Sequence, residues 1–223
     1  MPARAPRCWP ATSTRARSAG SPPRCRGSGP MRPISPPRRG GAGWPAEAAR
    51  ARAALWISWP TPPPSSVSAP IAQMTLADWH TTTAGEIDTV FLVTRALWPL
   101  LETSGAASIV NFASANAHVA LAGLPAIAHT AGKGAVLAMT RQMAMEGGPK
   151  RIRANTIAPG FTVTEETEQH LDTPLMQNVR AKLMVDRLGT TEDIGHLAIY
   201  LGSDESGYVT GADFRIDGGA TAW

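Results

Sequence analysis

Fifteen of the chain's 20 prolines fall within residues 1–70, and this asymmetry splits the sequence into two regions with different folding prospects. Proline removes a backbone donor and biases the residue before it away from helix. Recurring as Pro22, Pro23, Pro30, Pro33, Pro36, Pro37 and then Pro62, Pro63 and Pro64, it leaves this region without a sustained helix or strand period. The same 70 residues hold 11 arginines, no lysine and one acid, Glu47, a net charge of about +10. Residues 71–223 hold 10 basic and 16 acidic side chains, so the high isoelectric point of about 9.6 belongs to the first third. Residues 1–68 are expected to be a disordered Pro/Arg-rich segment, and residues 69–223 a folded domain.

A basic arm can bind nucleic acid through phosphates. Here the arginines are scattered and no aromatic platform alternates with them, so a nucleic-acid partner is not expected. Arg- and Ser-rich, acid-poor sequence also describes an organelle transit peptide, but the proline density opposes the amphipathic helix such a peptide needs. Cys8 and Cys25, the only cysteines, have no partner at metal or disulfide spacing, so no metal site is expected. No apolar run reaches the ~18 residues of a membrane span, and no secretory h-region is present. The chain is expected to be cytoplasmic.

From Pro70 the pattern changes. Met74 to Trp79 opens a long helical stretch in which Ile87, Val90, Phe91, Thr94, Leu97 and Leu101 recur at i, i+3 and i+4, with Gly105 just past its end. The run Ser108 to Ser114 is apolar and β-branched and predicts a buried parallel strand. A helix follows from about Ile127 to Glu146, closed by Gly147-Gly148-Pro149. Arg151 to Ala158 predicts a second strand, ended by Pro159-Gly160. Thr190 to Asp193 caps a helix running to about Leu201, and Val209-Thr210-Gly211 turns into a last strand, Asp213 to Ile216. Helix and strand in alternation predict crossover connections and a parallel sheet.

These motifs, in this order and with these gaps, resemble the short-chain dehydrogenase/reductase family. The strand Ile109 to Ser114 carries the resemblance together with Lys133-Gly134-Ala135-Val136, Asn155 to Gly160 with Thr164, Arg187-Leu188-Gly189, and Val209-Thr210-Gly211 through Asp217-Gly218-Gly219. The resemblance covers about residues 71–223. It implies a Rossmann-like, doubly wound α/β fold, an NAD or NADP cofactor, and an oxidoreductase acting on the alcohol or carbonyl group of a small-molecule substrate. It also implies that Ser114 holds the substrate oxygen and that Lys133 bonds the nicotinamide ribose. By the same resemblance Pro159 and Gly160 precede backbone at Thr162, with Thr164, that meets the nicotinamide. A homo-oligomer through helices 82–103 and 127–147 is implied as well, with packing inside one chain as the alternative.

Two positions depart from the family pattern. The tyrosine that moves the proton is replaced by His129, and the asparagine of the earlier helix by Glu86; Tyr200 and Tyr208 lie outside the spacing. Imidazole titrates near neutral pH without help, so His129 is expected to act as the acid/base, with Glu86 paired to Lys133. The other outcome is a site that has lost its proton donor, on a non-catalytic scaffold or pseudoenzyme that dimerises. His118 follows Ser114 in a loop and reads as solvated; His170 and His196 read as surface residues.

No glycine-rich turn that would seat a pyrophosphate on a helix N-terminus occurs in the sequence. The N-terminal βαβ portion of the fold therefore reads as missing or disrupted, so the chain is expected to show no saturable NAD(H) or NADP(H) binding and to be inactive as an enzyme in this form. Residues 1–68 also read as an out-of-frame translation. Triplets begun on the third base of each codon force alanine at Met1-Pro2, leucine at Cys8-Trp9, aspartate at Trp56-Ile57 and alanine at Trp59-Pro60. The shifted run from Trp56 to Pro63 then accommodates Asp-Ile-Leu-Ala-Asn-Ala-Ala, which resembles the family's buried strand and turn over the cofactor. A gene sequence without that second frame refutes this hypothesis.

Overall fold

Four short segments form one parallel sheet in the computed structural model: β1 (Ala53–Ile57), β2 (Ala107–Phe112), β3 (Ile152–Pro159) and β4 (Asp213–Ile216). The structure describes residues 53–57, 66–168 and 171–223. The strands lie side by side in chain order, with Ala53 opposite Ala107, Ala107 opposite Ile152 and Thr156 opposite Asp213. Parallel neighbours need crossovers, and the helices provide them. Helices α1 (Leu76–Thr83) and α2 (Thr89–Thr103) join β1 to β2, and α3 (Ile127–Gly147) joins β2 to β3. Helices α4 (Glu165–Glu168), α5 (Pro174–Lys182) and α6 (Thr191–Gly202) fall between β3 and β4.

Alternation along the central strands sorts the core onto two faces. Ile109, Ile152, Ala154 and Ala158 pack with Val90 and Leu101 of α2 and Val136 and Met143 of α3. Val110 and Ile157 point the other way, onto Ala198 and Leu201 of α6. Helices thus cover both faces, and β2 and β3 are buried on both, as parallel strands require. Full burial of an aliphatic side chain such as Ile109 or Ile157 contributes about 1.5–3 kcal/mol. Asn155 ties the turn before β4 to β3: its Nδ2 donates to Val209 O at 2.9 Å, and its Oδ1 accepts from Ala212 N at 3.1 Å.

The sheet, the helix over 127–147 and the capped helix after Thr190 agree with the sequence. Three expectations are corrected. Disorder over 1–68 fails at Ala53–Ile57, which is strand. A buried parallel strand needs no alternation, only a short apolar run, and Ala-Ala-Leu-Trp-Ile is one. The rest of that segment before Ser66, its shifted-frame reading, and His170 lie outside the described residues. The long helix after Met74 is broken by a wide π turn, Ala84–Asp88. Phe91, expected on the inner stripe, is 51% exposed, because Val90, Thr94 and Leu101 form the buried line.

Candidate active site

Strand β2 ends at Phe112, and two residues later Ser114 stands on extended backbone. It caps a short 3-10 turn, Ala115–Ala117, with its Oγ accepting from Asn116 N at 3.2 Å. That bond uses a lone pair, so the hydroxyl hydrogen stays available to a ligand oxygen. The first turns of α3 carry His129 and Lys133, four residues apart and therefore on one face.

Glu86 lies in the π turn and reaches α3. Its Oε1 is 2.5 Å from His129 Nδ1, and the two side chains are 14% and 24% exposed. A carboxylate only accepts, so Nδ1 carries the hydrogen and Nε2 is the ring nitrogen free to take or give a proton. Glycine at 132 makes the approach possible: any Cβ there would collide with Glu86 Oε2. That Oε2 is buried with no hydrogen-bond partner, a cost of about 1–3 kcal/mol. Sequence spacing paired Glu86 with Lys133; its hydrogen bond goes to His129 instead, and Lys133 feels it only through space.

Lys133 donates from Nζ to Phe112 O at 3.3 Å. Burial lowers its pKa below the usual lysine value, and the charge of Glu86 raises it part of the way back. The ammonium is thus fixed at the end of β2, with two of its three hydrogens left over.

Ser114 and His129 both line a cavity of about 330 Å³ at the carboxyl ends of β2, β3 and β4. Pro159 and Gly160 from β3 and Ala220 and Thr221 from beyond β4 also line it. Open α/β sheets bind ligands at this end. Lys133, Thr162 and Thr164 are not among its lining. Thr162 bridges to Gly189, and Thr164 caps α4, its Oγ1 accepting from Thr167 N at 3.2 Å. The backbone at Thr162 and the side chain of Thr164 hold the loop after β3 in place. His118, expected to be solvated, is tied to β4, with Nε2 2.8 Å from Asp213 Oδ2.

One wall escaped the sequence. Helix α5 turns Leu175, Asn178, Val179 and Lys182 toward the cavity, an i, i+3, i+4, i+7 face hidden in a segment that reads as merely polar. The loop after Ser114 meets this helix at Gly123, which holds φ +88° where only glycine is comfortable.

Helices on both faces of a parallel sheet, with a ligand cavity at the strand ends and a serine, an imidazole and a buried ammonium beside it, define a Rossmann-type site. The profile of the family described as enoyl-(acyl carrier protein) reductase matches residues 61–221. The chain belongs to the short-chain dehydrogenase/reductase family. It is similar to 2-(S)-hydroxypropyl-CoM dehydrogenase 3 of Xanthobacter autotrophicus, 38% identical over 66% of this chain and 58% of that protein. Inactive 2-(S)-hydroxypropyl-CoM dehydrogenase 2 of the same organism is 36% identical over 65% of this chain and 64% of its own length. Among solved structures, a gluconate 5-dehydrogenase from Burkholderia cenocepacia in complex with NADP and tartrate is 26% identical. It has a TM-score of 0.70 over 80% of this chain and 68% of that one. The chain therefore spans about three fifths of the length of the curated relatives it matches.

Among the described residues no helix is long and apolar enough to cross a membrane.

Proposed function

We propose that this chain is an NAD- or NADP-dependent oxidoreductase of the short-chain type, acting on an alcohol or carbonyl group, with His129 in place of the family's phenol. The observation that carries this reading is the 2.5 Å contact between Glu86 and His129 beside the cavity that His129 and Ser114 both line. Both departures from the family pattern meet in one hydrogen bond, so the second replacement supports the first.

In the reducing direction Ser114 donates its hydroxyl hydrogen to the carbonyl oxygen, and His129 Nε2 delivers the proton as that oxygen gains charge. Glu86 fixes the tautomer and offsets the charge of the imidazolium. The residues present fit the nicotinamide end of a cofactor. Lys133, with hydrogens to spare at the end of β2, would hold the ribose, and the turn after Pro159-Gly160 would face the carboxamide. When bound, the nicotinamide supplies the hydride acceptor or donor.

The test is steady-state turnover of short ketones with NADH and NADPH by the full chain and by His129→Ala. Loss of a general acid/base costs roughly 10²–10⁴-fold in kcat, and that is the expected result. Equal rates for both proteins would sink the reading and favour the scaffold alternative, which similarity to a relative named as inactive keeps in view. We also assign the enzyme to the cytoplasm and propose a homo-oligomer through α2 and α3. Phe91, Leu92 and Leu100 of α2 and Met145 of α3 are large apolar side chains left more than half exposed. Light scattering giving a monomer mass would refute that assembly.

A further inference from the structure

We infer that the substrate carries a carboxylate at the end remote from its reacting carbon, bound by Lys182 with Asn178 beside it. The inference rests on the oxidoreductase reading above and names the substrate class for that site.

Charge distribution around the cavity is the starting point. Its lining includes Ala115, Val119, Leu121, Leu124, Phe161 and Val179, a mostly apolar surface with a few polar groups, as small-molecule sites have. No aspartate or glutamate is among the residues that line it, and Lys182 is the one permanently charged residue among them. Lys182 comes from α5, whereas Ser114 and His129 come from the β2 end and from α3. The cation and the chemical groups are thus on separate elements of one chamber of about 330 Å³.

Lys182 is also free to act. The ion pairs of the described residues use Lys150, Arg187, His118 and His129, and none uses Lys182. Its backbone carbonyl accepts from Trp223 Nε1 at 3.1 Å, which ties this end of α5 to the chain beyond β4. Asn178, one turn earlier on the same face, adds an amide donor to the ammonium. Lys182 and Asn178 are solvent-exposed residues at the rim of a cavity whose lining holds no carboxylate. An ammonium and an amide so placed favour an anionic end group over a neutral one, because each donor then makes a charge-assisted bond. The substrate so defined is an oxo- or hydroxy-acid with a short apolar body.

The experiment compares an aliphatic oxo-carboxylate with its methyl ester as substrates of the full chain, for the native protein, Lys182→Met and Lys182→Arg. The native protein is expected to prefer the acid by about tenfold in kcat/KM, the weight of one charge-assisted hydrogen bond, with the preference lying in KM. K182M should bring the acid-to-ester ratio to about one, K182R should restore most of it, and 0.5 M salt should shrink it. An unchanged ratio in K182M overturns the proposal.

A chain that turns over neither compound refutes the oxidoreductase reading and leaves the anion site to a second measurement. Calorimetry with 4-methylpentanoate and 4-methylpentanamide needs no chemistry. Tighter binding of the acid, lost in K182M, upholds the site, and no preference for the acid in the native chain overturns it.

Discussion

Gly132 sits inside α3, where alanine would be the better helix former by up to about 1 kcal/mol. Space decides the other way. A Cβ at this position would overlap Glu86 Oε2 and lie 3.1 Å from Glu86 Cβ and 3.2 Å from its Cδ, so the Glu86 side chain would have to move. Gly132→Ala is therefore expected to push Glu86 off the imidazole, to lower the melting temperature rather than raise it, and to cut kcat toward that of the His129 variant. A more stable G132A protein with native turnover would mean that the Glu86–His129 contact does not hold the site together. Spacing alone made part of this arrangement legible, since His129 and Lys133 stand four apart on a helix and Ser114 ends a strand. The partner of Glu86 was not legible. Two basic side chains compete for it, and the choice is made by a π turn and a missing Cβ, neither of which leaves a periodic trace in the sequence.

Elements were legible where an apolar run coincided with a terminator. Strand β3 ends at Pro159, α6 begins at a capping box between Thr190 and Asp193, and β4 runs into Asp217-Gly218-Gly219. Strand β1 was missed because composition treats the whole first third as one segment, although no proline falls between Pro45 and Pro60. Helix α5 was missed because Asn178 and Lys182 interrupt its apolar line and Met176 alone of its residues is buried.

The turn after β4 shows how one such terminator reaches the site. Asp217 accepts from Gly219 N at 3.0 Å and from Thr221 N and Oγ1 at 2.9 and 2.5 Å, and Thr221 lines the cavity. Burial pushes the Asp217 carboxyl up, but these bonds and Arg215 push it further down, so its pKa lies below the usual carboxylate value. A carboxyl depressed in the folded state adds stability that is present above its unfolded pKa and is lost as pH falls through the folded one. Asp217→Asn should thus melt below the native chain at pH 7, and the gap should close in the acid range below the ordinary aspartate pKa. A gap of constant size across a melting series from pH 7 to pH 3 would show that the carboxylate charge has no part in closing this turn.

At the scale of the whole molecule, the order of the strands matters more than their number. Open α/β sheets hold dinucleotides where the strand order reverses, with the pyrophosphate on a glycine-rich turn. Strands β1 to β4 run in chain order without a reversal among the described residues, and the sequence has no such turn. Among the described residues, the groups we propose for a nicotinamide cofactor serve one end of it: the ammonium of Lys133 and the backbone beyond Pro159-Gly160. Affinity follows contacts made, so the adenosine half of NADH should add little. Reduced nicotinamide mononucleotide is expected to support ketone reduction with a KM within about tenfold of that for NADH, a difference under about 1.4 kcal/mol. A protein gripping both halves would separate the two by far more, because the adenosine and its phosphate would each bring hydrogen bonds of their own. Titrating the full chain with each compound in a calorimeter gives the same comparison without turnover. A hundredfold or greater advantage for NADH would place adenosine-binding groups in the residues before Ser66, and those residues would then belong to the cofactor site.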